Sequence, residues 1–248
     1  MRDWHNYTPS ANALTDRVIL VTGATRGIGR AVATDLVKHG ATVILHGRNA
    51  DALDEAYREL RQLGPEPAVA QLDLQRAQGD AYRELTDQIV ARYGRLDGLL
   101  HNAAVLGDLS PIEHYDIELW QQVIHVNLNT VFILTRCLLP LLRQSADASI
   151  LFTTSGVGHR GRAYWGAYAV SKFGIEGLSQ VLADELENTA IRVNCINPGG
   201  TRTRMRAQAY PAEDAQTLPT PESITGPYLH LLGADGRGVS GQRIECQG

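Results

Sequence analysis

Short apolar runs alternate with amphipathic stretches along most of this chain. Arg17 to Val21 is β-branched and apolar and stops at Thr22-Gly23, which predicts a buried strand. From Ile28 to Lys38 the apolar positions recur with helical period, and Gly40 ends that helix. Thr42 to Leu45 predicts a second strand. Asn49 to Leu63 predicts a charged amphipathic helix closed by Gly64-Pro65, and Val69 to Leu74 a third strand. A helix over Ala81–Tyr93 stops at Gly94, and Asp97 to His101 predicts the fourth strand. One long helix follows from Ile117 to Arg143, whose last turn Pro140 bends or ends. Ser149–Thr154 and Ile191–Ile196 read as strands on either side of a helix that begins just before Tyr168 and runs to about Asn188. A short helix near Glu222–Leu232 and a strand at Gln242–Cys246 complete the pattern.

Strands that alternate with helices give a parallel sheet covered on both faces. The predicted fold class is therefore α/β: one doubly wound domain over residues 17–248 with a mostly parallel seven-stranded sheet, preceded by a polar arm at residues 1–16. Ligands are expected at the carboxyl ends of the strands. Residues 201–220 are rich first in arginine and then in proline, and read as a mobile lid.

Charge narrows the partners. With 23 Lys plus Arg against 27 Asp plus Glu, the net charge is −4, so no basic field is available for nucleic acid or a membrane surface. The run Val131–Leu142 is too short to span a bilayer. Three widely spaced cysteines, Cys137, Cys195 and Cys246, form neither a disulfide framework nor a metal-ligand spacing, which suggests the cytoplasm. No metal site is evident among the eight histidines.

Two stretches carry chemistry. Tyr168 and Lys172 lie four residues apart, one turn along one helical face. A cation beside a phenol favours the phenolate, so the pair is a candidate general acid/base. Lys172 is one of only two lysines, the other being Lys38. Thr22-Gly23-Ala24-Thr25-Arg26-Gly27-Ile28-Gly29 stands between a strand and a helix. Glycines there let a pyrophosphate approach backbone N–H groups at a helix N-terminus, which favours dinucleotide binding over a purely structural turn.

The spacing Gly-x-x-x-Gly-x-Gly, with Asp73-Leu74, Asn102-Ala103-Ala104, Asn127, Ser155, the Tyr168/Lys172 pair and Pro198-Gly199 following in order, resembles the short-chain dehydrogenase/reductase family in its compact, Rossmann-type single-domain form. The resemblance spans residues 15–246 and is greatest to the bacterial YciK-like oxidoreductases. It implies that Tyr168 is the acid/base and that Lys172 tunes it and holds the nicotinamide ribose. It implies that Ser155 steadies the substrate oxygen and that Asn127 admits a water-linked proton path. It places Gly23, Thr25, Arg26, Gly27, Ile28 and Gly29 at the phosphates and Asp73 and Leu74 at the adenine. Asn102, Ala103 and Ala104 would border the cofactor, with Pro198, Gly199, Thr201 and Thr203 beside the nicotinamide. Ala104 stands where the family usually has glycine, which puts the local backbone in question.

Cofactor choice turns on the end of the second strand, His46-Gly47-Arg48-Asn49, which has no carboxylate to hold a ribose 2′-hydroxyl. Arg26 and Arg48 form a candidate clamp for a 2′-phosphate, so NADP(H) is expected, with NAD as the alternative. The implied reaction is hydride transfer on a carbonyl/alcohol pair. A non-catalytic NADP-binding sensor and an epimerase or dehydratase of the wider family are the alternatives. Apolar residues on the two long helices suggest a homodimer or homotetramer. Arg202, Arg204 and Arg206, together with His159, Arg160 and Arg162, suggest a basic pocket mouth that favours anionic carbonyl substrates, unless Glu213 and Asp214 pair with these arginines.

Overall fold

The computed structural model describes residues 7–247. Seven parallel strands stand in the order β3-β2-β1-β4-β5-β6-β7. They are β1 Val18–Thr22, β2 Thr42–Gly47, β3 Ala68–Gln71, β4 Gly98–His101, β5 Ala148–Thr153, β6 Ile191–Asn197 and β7 Arg243–Glu245. Every residue of β1, β4, β5 and β6 is buried, as a strand covered on both faces requires. At the edge, β3 alternates buried and exposed positions.

Side chains alternate across the sheet, and two cores result. Ile19, Val21, Val43 and Leu45 meet α1 (Gly27–Lys38), α2 (Ala50–Leu60) and α8 (Gly226–Leu232) on one face. Leu20, Ile44, Leu99, Ile150 and Val193 meet α3 (Gly79–Tyr93), α5 (Thr130–Leu142) and α6 (Gly166–Glu185) on the other. The strand order reverses between β1 and β4. The loops after those strands diverge there and open the crevice in which ligands bind in such sheets.

Three findings depart from or refine the sequence reading. The helix α4 (Ile117–Ile124) passes through a π-turn at His125–Asn129 directly into α5, so 26 helical residues run unbroken. By length and apolarity alone that rod could cross a bilayer; polar residues interrupt the run in sequence but not the helix. Its inward residues Leu134, Leu138 and Leu142 pack on the sheet, which makes it a core helix. Pro140 lies two residues from the helix end on the exposed side, where water can meet the carbonyl its missing N–H leaves unpaired. Of the N-terminal arm, residues 1–6 lie outside the described residues. Residues 7–16 pack against the end of α1 and against α8, with Leu14 buried in the first core and the Tyr7 hydroxyl donating to Asp235 at 2.7 Å. Residues 201–220 fold into α7 (Arg204–Ala209) and a 3₁₀ turn at Ala215–Thr217.

Candidate active site

The carboxyl end of β5 and the first turns of α6 bring Ser155, Tyr168 and Lys172 together. Lys172 is buried, and its Nζ donates to the Thr153 carbonyl at 2.7 Å, which anchors α6 to the strand end. The same Nζ stands 5.6 Å from the centre of the Tyr168 ring. Ser155, two residues beyond Thr153, stands close enough to the Tyr168 phenol to act on its pKa. Burial pushes the phenol up to about 12, and the Ser155 hydroxyl pulls it partway back. Burial likewise pulls the Lys172 ammonium down to about 8. The expectation that Lys172 lowers the Tyr168 pKa is therefore not met in this structure. Desolvation outweighs the one group that lowers the phenol, Ser155.

Asn127 sits in the π-turn, buried. Its Oδ1 accepts from the Val105 N–H at 2.8 Å, and its Nδ2 donates to the Val105 carbonyl at 2.8 Å and to Ser171 Oγ at 3.2 Å. That amide ties the loop after β4 to α6. Its side chain is fully committed to this tie.

The glycine loop fits an anion. Gly23 and Gly27 have φ of +69° and +55°, values costly for other residues. A Cβ at Gly29 would lie 2.3 Å from the Gly23 carbonyl oxygen, so only glycine lets α1 start this close to β1. Arg26, the N-cap of α1, provides no side-chain cap, and the first turn has no acidic residue. The orphan N–H groups of that helix end thus face the crevice uncapped, as a diphosphate requires. Thr25 packs on Gly47 at the end of β2, beside Arg48, and Gly27 approaches the Thr203 methyl. Arg26 and Arg48 are exposed, and among the described residues neither joins an ion pair. Asn49 spends its side chain capping α2, accepting from the Ala52 N–H at 2.8 Å.

Asn102 donates to the Thr22 carbonyl at 3.3 Å, while Thr22 Oγ1 accepts from the N–H groups of Asn102 and Ala103 at 2.9 and 3.1 Å. The ends of β1 and β4 are locked together by these bonds. Ala104 does not have positive φ, so its methyl causes no backbone strain. Asp73 and Leu74 follow β3; Asp73 Oδ1 accepts from the Gln75 N–H at 3.1 Å, and Leu74 is buried. After β6, Gly199 takes φ +72°. Gln247 Nε2 holds the Pro198 and Gly200 carbonyls at 2.7 and 3.1 Å and Thr201 Oγ1 at 3.3 Å. Thr203 caps α7.

A family model described as short chain dehydrogenase matches residues 17–214. The chain belongs to the short-chain dehydrogenase family. It is similar to the oxidoreductase YciK of Escherichia coli K12, 49% identical over 98% of this chain and 96% of that one. A short chain dehydrogenase structure from Pseudomonas syringae is 52% identical, with a TM-score of 0.96 over 98% of this chain and 99% of that one. A short chain dehydrogenase from E. coli CFT073 complexed with NADPH is 49% identical, with a TM-score of 0.94 over 97% of this chain and 100% of that one.

Within this short-chain dehydrogenase the sequence reading missed two site residues, Glu176 and Arg243. Glu176, one turn past Lys172, is buried; its Oε1 accepts from Thr154 Oγ1 at 2.7 Å and from Arg243 Nε at 2.9 Å. Arg243 also reaches the Ser155 carbonyl at 3.5 Å. The helical spacing Tyr168, Lys172, Glu176 was the available signal, but the partners on β5 and β7 are distant in sequence. The basic mouth is also revised. Arg206 makes a two-point ion pair with Glu213 at 2.6 and 2.5 Å, and Arg202 donates to the Gln216 and Leu218 carbonyls at 3.2 Å each. His159 Nδ1 lies 3.8 Å from Glu176.

Because Lys172 is more easily deprotonated in the fold than unfolded, the native state binds fewer protons between pH 8 and 10.5, and its stability rises with pH there. Lys172→Met removes that dependence. The variant is expected to be more stable than wild type near neutral pH, with an advantage that shrinks by about 3 kcal/mol as pH climbs through this window. Urea denaturation at several pH values measures it, and a constant difference would show that Lys172 is not desolvated.

Proposed function

We propose that this chain is an NADP(H)-dependent oxidoreductase acting on a carbonyl/alcohol pair, with Tyr168 as general acid/base. The observation that carries this reading is the placement of Ser155, Tyr168 and Lys172 together at the carboxyl end of β5, with Lys172 Nζ 5.6 Å from the centre of the Tyr168 ring. The bound nicotinamide supplies hydride to the carbonyl carbon. Ser155 donates a hydrogen bond to the carbonyl oxygen, and Tyr168 gives that oxygen its proton, so C=O becomes CH–OH. The Lys172 ammonium, held against the Thr153 carbonyl, stabilises the phenolate left behind. With burial holding it near 12, the Tyr168 phenol keeps its proton at neutral pH and is available to donate it. Asn127 keeps the Val105 loop and α6 in register and admits the water-linked path by which a proton reaches Lys172.

The uncapped end of α1, with Gly23, Thr25, Gly27, Ile28 and Gly29, holds the diphosphate. Asp73 and Leu74 flank the adenine, and Asn102, Ala103, Ala104, Pro198, Gly199, Thr201 and Thr203 border the nicotinamide half. Arg26 and Arg48 clamp the 2′-phosphate. Their freedom from ion pairs and the NADPH complex of the E. coli CFT073 relative support the phosphorylated cofactor. Residues 17–248 act as one domain behind the arm at 1–16, and 201–220 as its lid. Phe132, Val170, Phe173 and Val181 stand exposed on α5 and α6, a face that a second copy would cover in a homodimer or homotetramer. Cys137, Cys195 and Cys246 are not bridged, in keeping with a cytoplasmic protein.

Tyr168→Phe keeps the ring and removes the proton. Ketone reduction, followed by NADPH absorbance, is expected to slow by ~100-fold or more with NADPH affinity retained; undiminished turnover would take Tyr168 out of the role. Arg48→Glu is expected to weaken NADPH roughly 10–100-fold, the value of a charged hydrogen bond, and to leave NADH little changed. Calorimetric titration with both nucleotides checks this, and equal affinities in wild type would contradict the clamp.

A further inference from the structure

The fold contains a third apolar cluster that neither sheet face requires. Leu106, Trp165, Tyr168 and Ala169 are buried in it, and Val157, Met205, Ala209 and Tyr210 pack against it half-buried. Its members come from the loops after β4, β5 and β6, so it lies over the carboxyl edge, and the phenol of Tyr168 is part of it. Trp165 stands 5.8 Å from Tyr168 and 5.8 Å from Tyr210, centre to centre, which makes an aromatic wall from the acid/base to the lid.

The cations around that wall are occupied. Arg162 Nη1 donates to the Tyr210 hydroxyl at 2.6 Å. Arg206 lies 3.8 Å over the Tyr210 ring and is paired with Glu213 through Nε and Nη2, one edge of its guanidinium. The two guanidinium groups hold the ring of Tyr210 in place; Arg206 is ion-paired, Arg162 bonds the neutral Tyr210 hydroxyl and has no ion pair among the described residues, and the exposed Arg160 and Arg204, also without ion pairs there, are not members of the cluster. A carboxylate brought here would be desolvated against apolar side chains with only Arg162, already bonded to Tyr210, as a close partner, whereas an uncharged ring would bury the half-exposed faces of the cluster.

From this we infer that the substrate is an uncharged carbonyl compound with a ring or similar apolar body, and that Tyr210 on the lid is its specificity-determining residue. The inference rests on the hydride-transfer reading above, and deepens it.

The matched probes are ethyl benzoylformate and benzoylformate, which share one ketone and differ in charge. Their affinities are measured by calorimetry on the full-length protein loaded with NADP, and their turnover with NADPH. The ester is expected to bind about tenfold or more tightly than the acid. Tyr210→Ala is expected to weaken the ester by about tenfold, the loss of one buried aromatic face, and to leave the acid unchanged. Tyr210→Phe retains the ring and the ester affinity. Glu213→Gln releases Arg206 and narrows the gap between ester and acid. NADP affinity, measured in each variant, reports that the fold is intact. Tighter binding of the acid, no binding of the ester, or an ester affinity indifferent to Tyr210→Ala overturns the inference. Ester binding without any NADPH oxidation leaves the apolar site standing and overturns the hydride-transfer reading. Turnover with the acid preferred does the reverse.

Discussion

Two hydrogen bonds from α6 to the end of β5 govern the geometry of the site. Lys172 Nζ donates to the Thr153 carbonyl, and Thr154 Oγ1 donates to Glu176, both at 2.7 Å. Lys172 and Glu176 are one turn apart, so the helix holds two successive strand residues, and Ser155 is the next residue out. Tyr168 is one turn earlier on the same helix. Ser155 lies two residues past β5, and the bonds to Thr153 and Thr154 hold that short extension against a rigid helix, so that hydroxyl and phenol keep their relative position. The 3₁₀ turn after Ser155 closes on this grip so tightly that a Cβ at Gly158 would lie 2.6 Å from Thr154 Oγ1 and 2.9 Å from Lys172 Cβ. Burial of a lysine is unfavourable in itself, and the fold offsets it with a carbonyl partner and a lowered pKa.

The last strand extends this control to the cofactor side. Arg243 joins Glu176 to the Ser155 carbonyl and also pairs with Glu245. Glu245 accepts from Asn197 Nδ2 at 2.5 Å, and Asn197 Oδ1 accepts from the Gly199 N–H at 3.2 Å. Gln247 then fixes the carbonyls of the same turn. A chain of polar contacts therefore runs from Ser155 to the Pro198-Gly199 loop through residues that lie beyond the segment matched by the family model. The lid above it is built differently, from a short helix, one ion pair and the Tyr210 stack.

Local pattern carried much of the fold in the sequence. Strands such as β1 are almost wholly apolar because both faces are covered, and glycines mark helix ends such as Gly94, left-handed at φ +68°. What pattern could not carry was any effect of burial or long-range pairing. The direction of the Tyr168 shift depends on how deeply the phenol is covered, which no spacing reports. The π-turn carries a tie between Asn127 and Val105, 22 residues apart. The basic mouth dissolved for the opposite reason: Glu213 is only seven residues from Arg206, but pairing needed the turn between them to be known. Glu176 lay in plain view on the Tyr168 face of α6, and only the position of Arg243 on the neighbouring strand gives it meaning.

The claim that the α6 grip sets catalytic geometry is tested most directly by Thr154→Val, which removes one hydroxyl from a buried site while leaving Glu176, Arg243 and every cofactor residue in place. The quantity to measure is kcat for ketone reduction at saturating NADPH, with NADPH affinity alongside. If Ser155 is held by this grip, kcat falls by roughly 10–100-fold, as misplacement of a catalytic group does, and NADPH affinity is unchanged. An unchanged kcat would contradict the account.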